Sequence, residues 1–305
     1  MDPPQQPAAT RPGTGQRVLS SAYGGEARDA SLLFTLYYIA CFGNETTPGT
    51  LERGIGQDGG AQDARFHGGS QLISLRMADQ LDGRVVLNAP VRRIDQDSTG
   101  VLVHSDAGVW SGKRVVVAIP PQLAVKIAWN PGLPVEHETL FQRLPMGTLM
   151  KVEAVYPRPF WRDAGLSGMA INLAGPVRSM FDNTPPGDEA PGVLMGFIGG
   201  HAWRRYRDPA TRRAAALKNF ATTVGSRALT PVEYFEQDWT RQPWTLGGPT
   251  SVAAPGVVSD FGAAIRDPFD RVHWAGTETS TYWNGYMDGA VRSGERAALE
   301  VRQRL

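Results

Sequence analysis

The residue best placed for chemistry is Lys151, in the run LPMGTLMKVEAVY (144–156). On a strand, alternate side chains share a face, so Lys151 lies with Leu149, Glu153 and Val155. A lysine held in a dry pocket loses its proton more readily and can handle protons or activate oxygen. A solvated lysine on an edge strand, paired with Glu153, fits the same spacing. The second signal is aromatic: Phe197, Trp239, Trp244, Tyr282, Trp283 and Tyr286. Any one of them fits core packing. As a set, with Trp239 and Trp244 on a loop, they suit a lined pocket, and electron-rich ring faces suit an amine or ammonium.

The stretch from Arg271 to Leu305, RVHWAGTETSTYWNGYMDGAVRSGERAALEVRQRL, would present these groups. Val272–Ala275 has strand character and stops at Gly276. A polar turn follows, and a helix is expected from Tyr286, with Met287, Ala290, Val291, Gly294, Ala297, Ala298 and Val301 at helical spacing. Strand, glycine turn and helix start together present backbone N–H groups to an anionic or polar ligand. Gly285, Gly289 and Ala290 would let a flat ring approach the backbone. An ordinary terminal β-turn-α unit has the same pattern, and Glu278 taken alone fits a capping or solvated carboxylate.

The remaining elements are a tail and two strand-rich stretches. Residues 1–28, rich in Pro, Gly, Gln and Ala, are expected to be mobile. Gly13-Thr14-Gly15 has no preceding strand or third glycine and is not a dinucleotide loop. Asp29 or Ser31 can cap a helix running to Phe42. A second helix opens at Gly68-Gly69, with Leu72, Leu75 and Leu81 on its apolar side. Strands are expected at Val85–Leu87, Val91–Ile94, Val101–His104 and Val115–Ile119, the last buried on both faces. A short helix at 134–143 precedes strands at Leu149–Tyr156, Met169–Leu173, Val177–Phe181, Val193–Ile198 and Val232–Phe235. An amphipathic helix at 209–225 turns Leu217 and Phe220 inward. The pattern implies an α/β (mixed α and β) fold. The net charge of +1 nominates neither nucleic acid nor a membrane surface. Cys41, the single cysteine, excludes an internal disulfide and a multi-cysteine metal site, and suits a buried thiol. No metal is expected. No apolar stretch spans a bilayer and no secretory signal opens the chain, so a cytoplasmic protein is expected.

The segment AGTETSTYWNGYMDGAVRSGERAA (275–298) resembles the flavin-contacting C-terminal segment of the flavin-containing monoamine oxidase family. RFHGGSQ (65–71), PVRRIDQ (90–96), VVVAIPPQL (115–123), LPMGTLMKV (144–152) and GFIGGHAWR (196–204) follow that family's order, from about Asp29 onward. The resemblance implies a flavin-dependent amine oxidase of bacterial type, converting a primary or secondary amine to an aldehyde with release of hydrogen peroxide, and FAD as cofactor. It gives Lys151 the place beside the reactive flavin nitrogen and makes Tyr286 a wall of the amine cage. Gln62, Phe197, Trp239, Trp244 and Thr250 line the substrate side. Val91, Gly276, Glu278, Gly285, Tyr286, Met287, Asp288, Gly289 and Ala290 contact the cofactor. The expected domains are a tail (1–28), a partial FAD-binding region with a helical insert (29–130), a substrate domain (131–255) and a C-terminal FAD-binding segment (256–305).

This sequence also departs from the family pattern. Pro249 and Thr250 stand where mitochondrial relatives carry the flavin-linking cysteine and a second cage tyrosine, so the FAD is expected to be non-covalent and the cage one-sided. The family's opening strand–GxGxxG–helix unit is not found in the sequence. A truncated form is therefore expected, either as a homodimer or with a partner chain supplying the missing FAD-binding unit. Two other readings remain: an L-amino-acid oxidase-like flavin oxidoreductase, which needs an inward arginine such as Arg204 or Arg241, and a non-catalytic fragment that no longer binds FAD.

Overall fold

The computed structural model describes residues 21–56, 59–187 and 189–305. Gly13–Gly15 and the rest of the tail to residue 20 lie outside the described residues. The chain forms two compact units, residues 21–30 with Met146–Val252, and Ser31–Pro145 with Ala253–Leu305. Strands and helices occur in both, giving a mixed α and β fold. The unit boundary falls at Met146 rather than 131, because the helix Val135–Gln142 packs on Pro121–Ala124 and Val257–Phe261.

The unit containing Met146–Val252 is built on a five-stranded antiparallel sheet. Its order is Glu233–Asp238, Leu149–Tyr156, Gly192–Gly199, Val177–Asp182, Ala170–Ile171. Alternation along Leu149–Tyr156 sends Met150, Val152, Ala154 and Tyr156 into a core with Leu194, Ile198 and Met180. The helix Pro209–Val224 closes that core with Leu217 and Phe220, as the amphipathic pattern indicated. Asp208 caps it by accepting from Thr211 N–H at 2.8 Å, and Pro209 occupies its first turn. The strand expected at Met169–Leu173 shrinks to Ala170–Ile171.

Residues 21–28 were expected in the mobile tail, but they are tied into this unit. Tyr23 is fully buried. Gly24 O accepts from Thr148 N–H at 2.7 Å. Glu26 pairs with the buried Arg178 at 2.6 Å. Low apolar content hid a segment fixed by one aromatic anchor and one ion pair.

The other unit contains a four-stranded sheet, ordered Gly108–Gly112, Val101–Ser105, Val91–Gln96, Ala128–Asn130. Its last pair is parallel and the others antiparallel. The sequence reading missed both outer strands, which are short and poor in β-branched residues. A separate parallel pair joins Val115–Val117 to Val272–Trp274. Ser31 caps the helix Leu32–Ala40 by accepting from Phe34 N–H at 2.9 Å. Cys41, which follows it, is a buried free thiol.

Three expectations fail in this unit. Val85–Leu87 forms no strand, and Leu87 is 77% exposed. Val115–Val117 is shorter than expected and is not buried on both faces, since Val116 is 41% exposed. The helix Gln71–Gln80 buries none of its residues, and Leu75 and Leu81 are exposed. In each case apolar composition marks surface suited to burial, but nothing described here covers it.

The Met287–Gln303 helix also faces differently from its pattern. Its buried positions are Gly289, Ser293 and Ala297, whereas Met287 and Val291 are exposed. Small side chains let the helix lie close to Val272–Trp274, and that closeness outweighs apolarity in choosing the buried face.

Candidate active site

The C-terminal turn is fixed by its own polar atoms. Gly276, at φ +103°, leaves the strand Val272–Trp274 and enters a short turn at Thr277–Thr279. Thr277 Oγ1 accepts from Gly285 N–H at 2.7 Å and donates to Tyr286 O at 2.9 Å. Asn284 Nδ2 donates to Glu278 O at 3.1 Å. Gly276 N–H donates to Ser293 Oγ at 3.0 Å, tying the turn to the following helix.

Two arginines hold the turn from outside it. Arg296 Nη2 donates to Trp274 O at 2.6 Å and to Thr279 Oγ1 at 3.0 Å. Arg266 Nε donates to Thr279 O at 2.7 Å. Tyr37 adds a hydrogen bond to Ser280 O at 3.0 Å. These residues were not singled out by sequence. The contacts join positions far apart in the chain, and only the SGERAA wording around Arg296 marked it.

The turn delivers Tyr286 as the residue before the Met287–Gln303 helix, with no side-chain cap. The N–H groups of Met287, Asp288 and Gly289 have no intrahelical acceptor, and the helix dipole places partial positive charge there. Ala290 is exposed and Gly285 half-buried. A Cβ on Gly289 would lie 2.2 Å from Trp283 O, so its missing side chain makes room for the turn's own carbonyl. Trp283 takes φ +52°, uncommon for a bulky residue, and its N–H is held by Cys41 O at 2.6 Å.

Tyr286 sits in an aromatic nest. Its ring meets Trp283 at 5.4 Å and Phe42 at 5.9 Å, both edge-on. Its hydroxyl donates to Gly54 O at 2.7 Å and meets the Gln62 side chain. Removal from water pushes the phenol up to about 12. Gln62 and Tyr286 are thus brought together, with Phe42, which the sequence did not single out, beside them. Burial likewise raises the Glu278 carboxyl above its ordinary range. Val91, half-exposed at the start of its strand, pairs with Ser105.

In the sheet unit, one face is core and the other carries Lys151 and Glu153. Register aligns Gln237, Lys151, Phe197 and Ser179 in one row, and Phe235, Glu153, Met195 and Phe181 in the next. Lys151 is not alone in a dry pocket. Its Nζ lies 2.9 Å from Glu153 Oε1, which also accepts from Asn183 Nδ2 at 3.1 Å. Phe197 stands 6.1 Å from Phe181, ring to ring. Trp239 is partly exposed, and Trp244 more so at 64%. Thr250 is buried, and its carbonyl accepts from Gly147 N–H at 3.0 Å. Arg204 is exposed and Arg241 lies 3.5 Å from Asp238, so neither is an inward carboxylate clamp. Among the described residues no group of three His, Cys, Asp or Glu side chains could hold a metal ion. None of the described helices is long and apolar enough to cross a membrane.

Residues 16–302 match the family model for flavin containing amine oxidoreductases. The AofH protein of Mycobacterium tuberculosis, assigned as a flavin-containing monoamine oxidase, is 42% identical over 279 residues, covering 92% of this chain and 60% of that protein. The human flavin-containing amine oxidase B is 37% identical over 285 residues, covering 90% of this chain and 53% of that protein. Cyclohexylamine oxidase from Brevibacterium oxydans superposes with a TM-score of 0.88 at 36% identity, covering 95% of this chain and 64% of that one. The chain thus spans about 60% of the length of the relatives it matches. By sequence and by fold, the chain belongs to the flavin-containing amine oxidoreductase family.

Proposed function

We propose that this chain is the part of an FAD-dependent amine oxidase that holds the flavin ring edge and carries the amine-facing side chains. The observation that supports this most is the uncapped start of the Met287–Gln303 helix, at the end of a turn held by Thr277, Arg266 and Arg296. Its open N–H groups and dipole suit an anionic ring edge. Bound FAD would supply the redox chemistry, taking a hydride equivalent from the carbon bearing the amine and passing the electrons to oxygen, with release of hydrogen peroxide.

The chain's own residues bind, orient and handle protons. The backbone at Gly285, Met287, Asp288 and Ala290 receives the ring edge, and Gly276 sets the turn. Val91 meets the adenine through its backbone. Glu278, with its raised pKa, repels a pyrophosphate less than an ordinary carboxylate would. Tyr286 and Gln62 offer the amine an aromatic face and an amide. Phe197, Trp239 and Trp244 supply apolar surface. Lys151 handles a proton through water, with Glu153 holding its ammonium in place. Pro249 has no nucleophile, so the flavin is held without a covalent bond.

Among the described residues no strand–GxGxxG–helix unit is present to receive the pyrophosphate; the one GxGxxG run, GIGQDG at 54–59, begins inside the helix Leu51–Ile55 rather than after a strand. We assign that half-site to a polypeptide segment outside residues 1–305. Each charge-assisted hydrogen bond lost there weakens binding by roughly 1.5–3 kcal/mol. Two or three together lower affinity by about 10³ or more. The test is to titrate the purified chain with FAD, follow the flavin spectrum, and assay peroxide with a panel of amines. Expected are weak, saturable binding, flavin fully released by acid, and little turnover. A flavin spectrum unperturbed at millimolar FAD overturns the reading, and flavin colour retained by denatured protein overturns the non-covalent assignment.

A further inference from the structure

This inference rests on the reading above, because the turn it concerns is the one that presents Tyr286. His273 is fully buried on the strand Val272–Trp274. Its Nδ1 lies 3.2 Å from Glu300 Oε2, and its Nε2 lies 3.5 Å from Arg114 Nη1. A guanidinium only donates, so Nε2 accepts, and the proton of the neutral ring sits on Nδ1, which donates to Glu300. The other oxygen of Glu300 accepts from Arg296 Nη1 at 2.5 Å. Arg296 Nη2 in turn donates to Trp274 O and Thr279 Oγ1. A buried titratable ring is thus joined, through Glu300 and Arg296, to the turn that follows its own strand.

We propose that His273 is a positioning residue: as the neutral Nδ1–H tautomer it completes a Glu300–Arg296 relay that holds the turn at Thr277–Thr279, and a proton taken up by the ring loosens that turn. The added proton removes the lone pair that accepts from Arg114. It also makes the ring a cation that competes with Arg296 for Glu300. The charges facing the ring are Glu300 and Arg304 from the helix and Arg114 from the residue ahead of Val115–Val117. One carboxylate therefore stands among several cations, and Arg296 already draws on it. Burial above all, with Arg114 and Arg304, pushes the ring below its ordinary 6.5, and Glu300 opposes them. The unfolded chain binds this proton first, so the fold loses stability as pH falls from 6.5 toward the ring's own lower value.

Nitrogen NMR of the purified chain at about pH 8 measures the tautomer directly and needs no variant. The proton should be on Nδ1, and a proton on Nε2 overturns the proposal. The turn is followed by amide exchange at Gly276 and Gly285, whose N–H groups donate to Ser293 Oγ and Thr277 Oγ1. Corrected for the intrinsic rate, wild-type protection should fall about tenfold between about pH 8 and about pH 5, as when one charge-assisted hydrogen bond weakens. His273→Gln cannot gain the proton and Glu300→Gln breaks the relay, so protection in both should stay level with pH. Level protection in wild type, the result for a histidine that only fills space, overturns the proposal, and so does an equal fall in all three proteins. FAD titrations at the same two pH values separate this inference from the reading it rests on. Weaker binding at the lower pH in wild type, but in neither variant, supports both. Binding equal at the two pH values overturns the link from relay to site. No flavin response at either pH refutes the amine oxidase reading, and the tautomer and exchange data then decide the relay by themselves.

Discussion

Replacing Gly289 with alanine should destabilise the protein, although alanine is the better helix former. A Cβ at 289 would lie 2.2 Å from Trp283 O, 2.8 Å from Trp283 C and 2.9 Å from Thr277 Oγ1. The first two atoms are backbone and cannot rotate away. Trp283 O also accepts from Tyr286 N–H at 3.0 Å, so displacing it strains the turn that presents Tyr286. Overpacking of this kind costs about 1–3 kcal/mol. Helix propensity returns up to about 1 kcal/mol for glycine to alanine in a helix interior, and less in the first turn. The net expectation is a loss of roughly 1–2 kcal/mol, a factor of about 5–30 in the folding equilibrium.

The same helix contains its own control. Nothing lies within 4 Å of a Cβ built on Gly294, which is exposed in the helix interior. Gly294→Ala should therefore stabilise by about 0.5–1 kcal/mol. Both variants can be measured by denaturant titration against wild type, with tryptophan fluorescence as the signal. The opposite signs are the test, because helix propensity alone predicts the same sign at both sites. If Gly289→Ala proves as stable as wild type or more so, the close approach of Trp283 O does not constrain this helix and the reasoning fails.

Further tests probe the polar atoms around the site. Ser293→Ala leaves Gly276 N–H without its acceptor and should cost about 1–3 kcal/mol by denaturant titration; an unchanged midpoint would show that the turn does not depend on this contact. Tyr286 has a folded-state pKa raised from 10 to about 12, so its contribution to stability is complete below pH 10 and is lost as pH rises through 12. Tyr286→Phe should therefore flatten the loss of stability between those values, and equal alkaline slopes for the two proteins would contradict this. Lys151→Met should shift the denaturation midpoint little, because an ion pair this exposed is worth about 0–1 kcal/mol. In a flavin-loaded assembly the same variant should slow amine turnover or flavin reoxidation, and unchanged rates would return Lys151 to an ordinary surface role.

How much of this was legible in the sequence depended on how far apart the interacting residues lie. Strands such as Leu149–Tyr156 and the helix Pro209–Val224 announced themselves, because alternation and helical spacing are written within a dozen residues. The turn after Gly276 was legible for the same reason, since its glycines, threonines and aromatics are consecutive. Residues 21–28 were misread because their order depends on Arg178 and Thr148, more than a hundred positions away. The arginines that hold Thr279 were invisible for the same reason. Arg266 and Arg296 look like surface charges until the fold brings a carbonyl and a hydroxyl against them.

The exposed valines are a different kind of error. Val85–Leu87 and Val115–Val117 carry the composition of inner strands, and composition gives what a segment needs rather than what it has. An inner-strand pattern left with an open edge is itself information, because a lone open edge invites mispairing. The same logic applies to Gly289. Read from sequence, a small residue at a helix start suggests room for a ligand. In the structure, that room is taken by Trp283 O, which fixes the carbonyl geometry on which Tyr286 and the open helix start depend. The absent side chain at that position is therefore needed by the turn itself, whatever the backbone beside it contacts.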